Sequence, residues 1–140
     1  ERVFDAMETF TSLLPSAADP WAVFFALEIG ILKMAGSFPS TAACGTCRAA
    51  LDGEAFALDA SSGLVSCAAC SGPGGRTLSA RASSLFSQVE RSGFEGARDA
   101  RLERAERKEI GELIHRLFMS HVDGYRLPYA LRLCKGVNGQ

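Results

Sequence analysis

Cys44-Gly45-Thr46-Cys47 is answered, nineteen residues on, by Cys67-Ala68-Ala69-Cys70. Two Cys-x-x-Cys pairs with roughly 15 to 20 residues between them are the sequence form of a four-thiolate metal site. Each pair bends the backbone tightly enough to aim two sulfurs at one point. A hairpin of the intervening length then brings the pairs together. With Cys44, Cys47, Cys67 and Cys70 all ligating, a tetrahedral Zn²⁺ keeps no position for water or substrate. The reading is one structural zinc, with no chemistry at the ion.

Three other uses of these cysteines fit less well. A disulfide framework suits small secreted chains, whereas 47% hydrophobic residues can build a core without staples, and the fifth cysteine, Cys134, would be left over. A redox pair of the thioredoxin type uses one Cys-x-x-Cys at the start of a helix. An iron–sulfur cluster takes four cysteines, but paired knuckles at this spacing favour zinc. Cys134 itself, in Leu131-Arg132-Leu133-Cys134, reads as a small buried hydrophobe.

Between the pairs, Glu54-Ala55-Phe56-Ala57-Leu58 alternates at period two and predicts a short strand. Asp59-Ala60-Ser61-Ser62-Gly63 is turn chemistry, and Leu64-Val65-Ser66 returns to the second knuckle. Metal and hairpin should depend on one another, because a few short strands alone are marginal in water. Ser71-Gly72-Pro73-Gly74-Gly75-Arg76 lacks the Gly-Lys-Ser/Thr ending of a phosphate loop and reads as a linker.

Outside this segment the pattern is helical. Val3, Phe4, Met7, Phe10, Leu13 and Leu14 predict one amphipathic helix over residues 2–14, ended by Pro15. Asp19-Pro20 pairs an acidic N-cap with proline at the first helical position. The helix it opens, with Trp21, Phe24, Phe25, Leu27, Ile29, Ile31, Leu32 and Met34, is apolar on nearly every side and should be central. Gly36 is its C-cap and Pro39 prevents continuation. Ala82, Leu85, Phe86 and Val89 mark a third helix from Ser79 to about Gly93. A long fourth helix is expected from about Ala100 to His121, with a charged outer face and Glu103–Arg107 and Glu112–Arg116 at the favourable i,i+4 spacing. That mixture reads as a solvated face. His115 and His121 read as surface or capping residues. The tail from Gly124 to Leu133 packs apolar residues and leaves Arg126 and Arg132 free.

These elements predict a mainly α architecture: a helical bundle with an inserted four-cysteine zinc-binding β-hairpin. Its 140 residues suit one domain over 1–140, with the zinc finger inserted at about 40–75. Trp21 to Ala35 comes closest to a membrane span, but Glu28 and Lys33 interrupt it. Reduced cysteines and no visible leader point to the cytoplasm. A start at Glu1, directly in a helical pattern, suggests part of a longer protein. Charge is uneven: residues 1–70 carry −5 and residues 71–140 carry +4, mostly as arginine. Any nucleic-acid contact must therefore come from a local arginine surface. No serine or cysteine nucleophile has a placed base and no carboxylate pair stands isolated, so a binding module is expected, not an enzyme.

The ordered combination resembles the C-terminal helical domain of the bacterial DNA repair protein RecO. It rests on Leu27-Glu28-Ile29-Gly30-Ile31-Leu32-Lys33-Met34-Ala35-Gly36 with Pro39, both cysteine pairs, Phe56-Ala57-Leu58-Asp59, Gly63-Leu64-Val65, and the stretch from Leu117 to Leu133. Leu27 stands where that family often has an aromatic, and Pro128 where its tail has a serine. Nothing here looks like the OB-fold that begins RecO proteins. The resemblance implies a recombination mediator, cytoplasmic and nucleoid-associated. Such a protein binds single- and double-stranded DNA, anneals strands, and works with RecR. It helps RecA displace single-strand binding protein (SSB), whose acidic, apolar C-terminal tail docks on the helical domain. Arg76, Arg81, Arg116, Arg126 and Arg132 are the candidate contacts to DNA or partner. The alternative is a zinc-stabilised interaction scaffold without DNA affinity of its own.

Overall fold

The computed structural model describes residues 2–73 and 75–126. The expectations for Arg132, Cys134 and the tail beyond Arg126 lie outside them. The architecture is mainly α, with a small antiparallel sheet carried between the second and third helices.

Helix α1 (Arg2–Leu13) stops before Pro15, which sits in a single 3-10 turn, Leu14–Ser16. Asp19 then opens α2 (Pro20–Met34), its carboxylate accepting the Trp21 N–H at 3.0 Å. At the other end Gly36 takes φ +70°, which only glycine adopts freely. Its N–H reaches the Lys33 carbonyl while the Ser37 N–H reaches that of Leu32, closing the helix in a Schellman motif. Ala22, Val23, Phe25, Ala26, Leu27, Ile29 and Leu32 are all buried, so α2 is the central helix its composition demands. By contrast α1 buries no residue fully. It lies on α2 through Phe10 and Phe24, ring centroids 6.4 Å apart, and leaves Phe4 75% exposed.

The sheet has the order β2-β1-β3. Strands β1 (Phe56–Asp59) and β2 (Leu64–Cys67) form the expected hairpin, in the register Phe56 to Cys67 through Asp59 to Leu64. Two points differ from the sequence reading. The linker ends in a third strand, β3 (Arg76–Thr77), paired with β1 through Ala57 and Leu58. And Ala57 is buried along with Phe56 and Leu58, because the incoming loop covers its face: a Cβ placed on Gly75 would lie 3.2 Å from that of Ala57. The strand is therefore covered on both faces, and period-two alternation of polarity is not required of it.

Ser79 caps α3 (Ala80–Ser92), its hydroxyl accepting the Ala82 N–H, and Gly93 ends it. A four-residue helix, α4 (Phe94–Ala97), lies between the third helix and the long last one, a helix the sequence pattern does not predict. Helix α5 is Arg104–His121, four residues shorter at its start than expected. Glu103 is the N-cap, and with Glu106 it forms a reciprocal capping box, so residues 100–103 approach the helix without joining it. Ile110, Leu113, Ile114, Leu117 and Phe118 on α5 meet α2 and the sheet in one cluster, together with Leu51, Phe56, Leu58, Leu78 and Phe86.

The charged face of α5 is less solvated than its composition suggests. Glu106 is buried, accepting the Glu103 N–H at 2.8 Å and the Arg81 Nε at 2.9 Å. Neither predicted i,i+4 pair forms. Glu103, displaced from the helix as its cap, meets Arg81 at 3.1 Å, and Arg107 turns to the buried Asp19 at 3.2 Å. Glu112 pairs with Arg76, with Lys108 at 4.0 Å beside it. A partner held in place by another element is a better target than a flexible neighbour one turn away.

Candidate metal centre and its surroundings

The two knuckles are built by backbone hydrogen bonds. In the first, the Cys44 N–H reaches the Ala49 carbonyl (2.8 Å), the Arg48 N–H reaches that of Cys44 (3.0 Å) and the Leu51 N–H that of Ala42 (3.0 Å). Arg48 takes φ 64°, the one positive value among the described non-glycine residues. In the second, the N–H groups of Cys70 and Ser71 both converge on the Cys67 carbonyl, at 3.1 and 3.0 Å. The knuckles are stitched together by the Gly45 N–H, which donates to Val65 at 2.7 Å. A Cβ at position 45 would overlap Cδ1 of the exposed Leu64 and lie 3.2 Å from the Val65 carbonyl oxygen, so a larger residue there would have to push the Leu64 side chain aside.

The result brings Cys44, Cys47, Cys67 and Cys70 into one cluster, all four Sγ atoms within 4.8 Å of one another. Cys47 Sγ and Cys67 Sγ are 3.8 Å apart. A regular tetrahedron with metal–sulfur bonds of about 2.3 Å has sulfur–sulfur edges of about 3.8 Å. The cluster therefore has the dimensions and the donors to hold a metal ion, consistent with zinc. Its electrostatics agree. Cys44 is lowered to about 6, chiefly by the Cys47 N–H and then that of Cys67. Cys70 is pushed up to about 12, first by its hydrogen bond to Cys67 and then by Cys47. Four sulfurs this close cannot all ionise against one another, and a dication is the charge that lets them.

The cluster is graded in exposure. Cys44 is fully buried in the core, Cys67 and Cys70 are half-buried and pack against it, and Cys47 is exposed. Several contacts fix the metal segment to the bundle, among them the Phe56 N–H of β1, which donates to the Ser83 hydroxyl of α3 at 3.3 Å. His121 Nε2–H at the end of α5 donates to the Ala60 carbonyl in the hairpin turn, 3.0 Å away. Arg76 on β3 pairs with Glu112 on α5. On the entry side, Glu90 of α3 accepts the Thr41 N–H at 2.8 Å and also the Thr41 hydroxyl. None of these pairings is visible in sequence spacing, since each joins residues 27 or more apart. His121 is thus a capping histidine, for a turn of the hairpin. His115 lies against Tyr125, Nδ1 to hydroxyl 3.4 Å.

The candidate arginines do not converge. Arg76 and Arg81 are engaged with Glu112 and with Glu103 and Glu106. Arg116 and Arg126 are exposed and make no carboxylate contact among the described residues. Arg116 lines a groove of about 290 Å³ between α5 and the hairpin turn, with Met119, Leu58, Ala60 and Ser61. Met119 is 63% exposed there. Asp59, also lining it, is held in its anionic form by the Ser61 hydroxyl and N–H. None of the helices among the described residues is long and apolar enough to cross a membrane.

The model of the recombination protein O C-terminal family matches residues 1–128. The chain belongs to that family, and with it to DNA recombination and repair. No curated protein and no solved structure matches it significantly.

Proposed function

We propose that this member of the RecO C-terminal family works as the helical, zinc-stapled part of a recombination mediator. In this reading it binds single- and double-stranded DNA and supports strand annealing. With RecR it helps load RecA on SSB-coated single strands. It does this in the cytoplasm, at the nucleoid, and without catalysis of its own. The observation that carries the reading is the family match over residues 1–128, across the helices and both cysteine pairs. Zinc in the four-cysteine cluster is structural: a closed ligand set that joins the hairpin to the core and leaves no coordination site.

Residues 1–140 form one domain in this proposal, with the finger at about 40–75. Its polyanion contacts fall to Arg116 and Arg126, whose charges have no carboxylate partner among the described residues, and to Arg132 beyond them. The groove beside Arg116 offers an apolar side chain, Met119, next to a cation. That pairing suits the apolar part of an SSB tail, with its acidic part on the Arg116 side and away from the Asp59 carboxylate in the same groove. A second reading, a scaffold with no DNA affinity, draws support from the ion pairs that occupy Arg76 and Arg81.

Fluorescence anisotropy of a labelled SSB tail peptide and of a labelled single-stranded oligonucleotide, titrated with the zinc-loaded chain, separates the readings. A mediator binds both, with oligonucleotide affinity falling steeply as salt rises. Arg116→Glu should weaken peptide binding by tenfold or more without moving the melt. A folded, zinc-loaded chain that binds neither probe leaves the scaffold.

A further inference from the structure

The four sulfurs of the cluster are chemically alike but not equally placed. Cys44 is sealed in the core, and Cys67 and Cys70 lean on it from the two ends of the second knuckle. Cys47 alone is exposed to solvent, at the tip of the first knuckle, with the cation of Arg48 next in sequence. Zinc-bound cysteines are thiolates, and a thiolate open to solvent is the form that peroxides oxidise. A sulfur placed to receive the result is that of Cys67, 3.8 Å away across the two knuckles. Closing that gap to a disulfide of about 2.0 Å needs a movement of under about 2 Å.

Resting on the structural zinc proposed above, we infer that Cys47 is an oxidation site through which hydroperoxides discharge the metal. The Cys47 thiolate attacks one oxygen of hydrogen peroxide. A sulfur–oxygen bond forms, the oxygen–oxygen bond breaks and hydroxide leaves. The Cys67 thiolate then attacks the sulfenic sulfur, forming the Cys47–Cys67 disulfide as the sulfur–oxygen bond breaks and a second hydroxide leaves. Two protons from solvent convert both hydroxides to water. The sulfur pair loses two electrons and the peroxide gains them. Cys44 and Cys70 would then be the two ligands left to hold zinc, too few to retain the ion as Zn²⁺ against water. A thiol reductant plus Zn²⁺ reverses the change, because the sulfurs stop at the disulfide stage.

The buried Cys44 makes this a graded site. Its sulfur accepts the Cys47 N–H at 3.5 Å inside the core, out of reach of the oxidant. The second knuckle is held by its own backbone bonds to the Cys67 carbonyl. Oxidation therefore enters at one defined residue of the four.

The test treats the purified chain, its zinc content first measured by metal analysis, with hydrogen peroxide. Released zinc is followed with a chromogenic chelator. Dimedone traps sulfenic acid at early times, and peptide mapping without reductant locates the disulfide. Expected are dimedone on Cys47 ahead of the other cysteines, a Cys47–Cys67 disulfide, and zinc release at the same rate as the disulfide appears. Cys47→His keeps a nitrogen ligand for zinc and should slow peroxide-driven release at least tenfold. First labelling at Cys67 or Cys70, a disulfide within either knuckle, or an undiminished release rate in a zinc-loaded Cys47→His chain overturns the proposal while leaving structural zinc intact. A wild-type chain that contains no zinc overturns both.

Discussion

The carboxylate of Asp19 and the guanidinium of Arg107 meet across 88 residues of sequence, with Nη2 3.2 Å from Oδ2. The same carboxylate caps α2 through the Trp21 N–H and receives the Leu102 N–H at 2.9 Å. One buried anion thus fixes the start of the central helix, the approach to α5 and its second turn. Asp19→Ala removes all three bonds and unpairs Arg107, whose Nε already lacks a partner among the described residues. The expected loss is about 2–3 kcal/mol in urea unfolding, from the lost helix cap and the buried Leu102 N–H left unpaired, since the Arg107 side chain is 41% exposed and regains water. Asp19→Asn keeps the cap and should cost clearly less. An Asp19→Asn chain as stable as the wild type would mean that the charge pair contributes nothing.

Removing metal should unfold the hairpin before the helices. Cys67 would ligate zinc through its side chain, while its backbone lies opposite Phe56, which is fully buried. Chelation by excess EDTA, or Cys67→Ser, therefore withdraws a support from the core as well as from the finger. The expected outcome is a melting temperature at least about 10 °C lower, given binding energies of about 10 kcal/mol or more for structural zinc. A soluble, metal-free Cys67→Ser chain with an unchanged melt would sink the structural role.

Much of this arrangement is legible in the sequence because it is local. Cys-x-x-Cys closes on itself, Asp19-Pro20 carries its own cap, and Ser79 and Gly93 mark both ends of α3. What the sequence hid is set by contacts between distant elements. Strand β3 has two residues in a glycine-rich loop, and only pairing with Ala57 and Leu58 makes it a strand. The start of α5 was displaced because Leu102 and Ala105 prolong the helical pattern across a cap made by glutamate, a residue outside the usual Ser, Thr, Asp and Asn. The graded exposure of the four cysteines has no sequence signal at all. It follows from which knuckle faces Leu51, Phe56 and Val65.

Close packing of α4 on α3 makes a further prediction. Gly96 is buried, and a Cβ there would stand 2.7 Å from the Gln88 carbonyl oxygen and 3.0 Å from its carbon. Both atoms are backbone within a helix, so neither can move aside as a side-chain tip would. Gly96→Ala should cost about 1–3 kcal/mol, the usual range for overpacking, against the gain that alanine brings to an exposed helix. A chevron or urea midpoint shifted upward would show that the two helices are more loosely joined than their geometry requires.

The last prediction concerns pH and Glu28, a half-buried carboxylate on the central helix. Burial pushes it up from 4.5 to about 7. Tyr125 is raised as well, first by its own burial and then by the charge of Glu28. An acid whose pKa is higher in the folded chain binds its proton more tightly there than in the unfolded one. Its stabilising contribution is complete below the unfolded value of 4.5 and is lost as pH rises through about 7. The whole shift corresponds to about 3 kcal/mol, of which about 2 kcal/mol falls between pH 5.5 and 8. Glu28→Gln carries no charge to desolvate, so its advantage over the wild type should grow by that amount across the interval. Thermal melts of both proteins at pH 5.5, 6.5, 7.5 and 8, each with saturating zinc, would read it as a widening gap of several degrees. Curves that stay parallel would mean that Glu28 ionises in the fold as freely as in the unfolded chain. Its place beside Tyr125 would then be open to water.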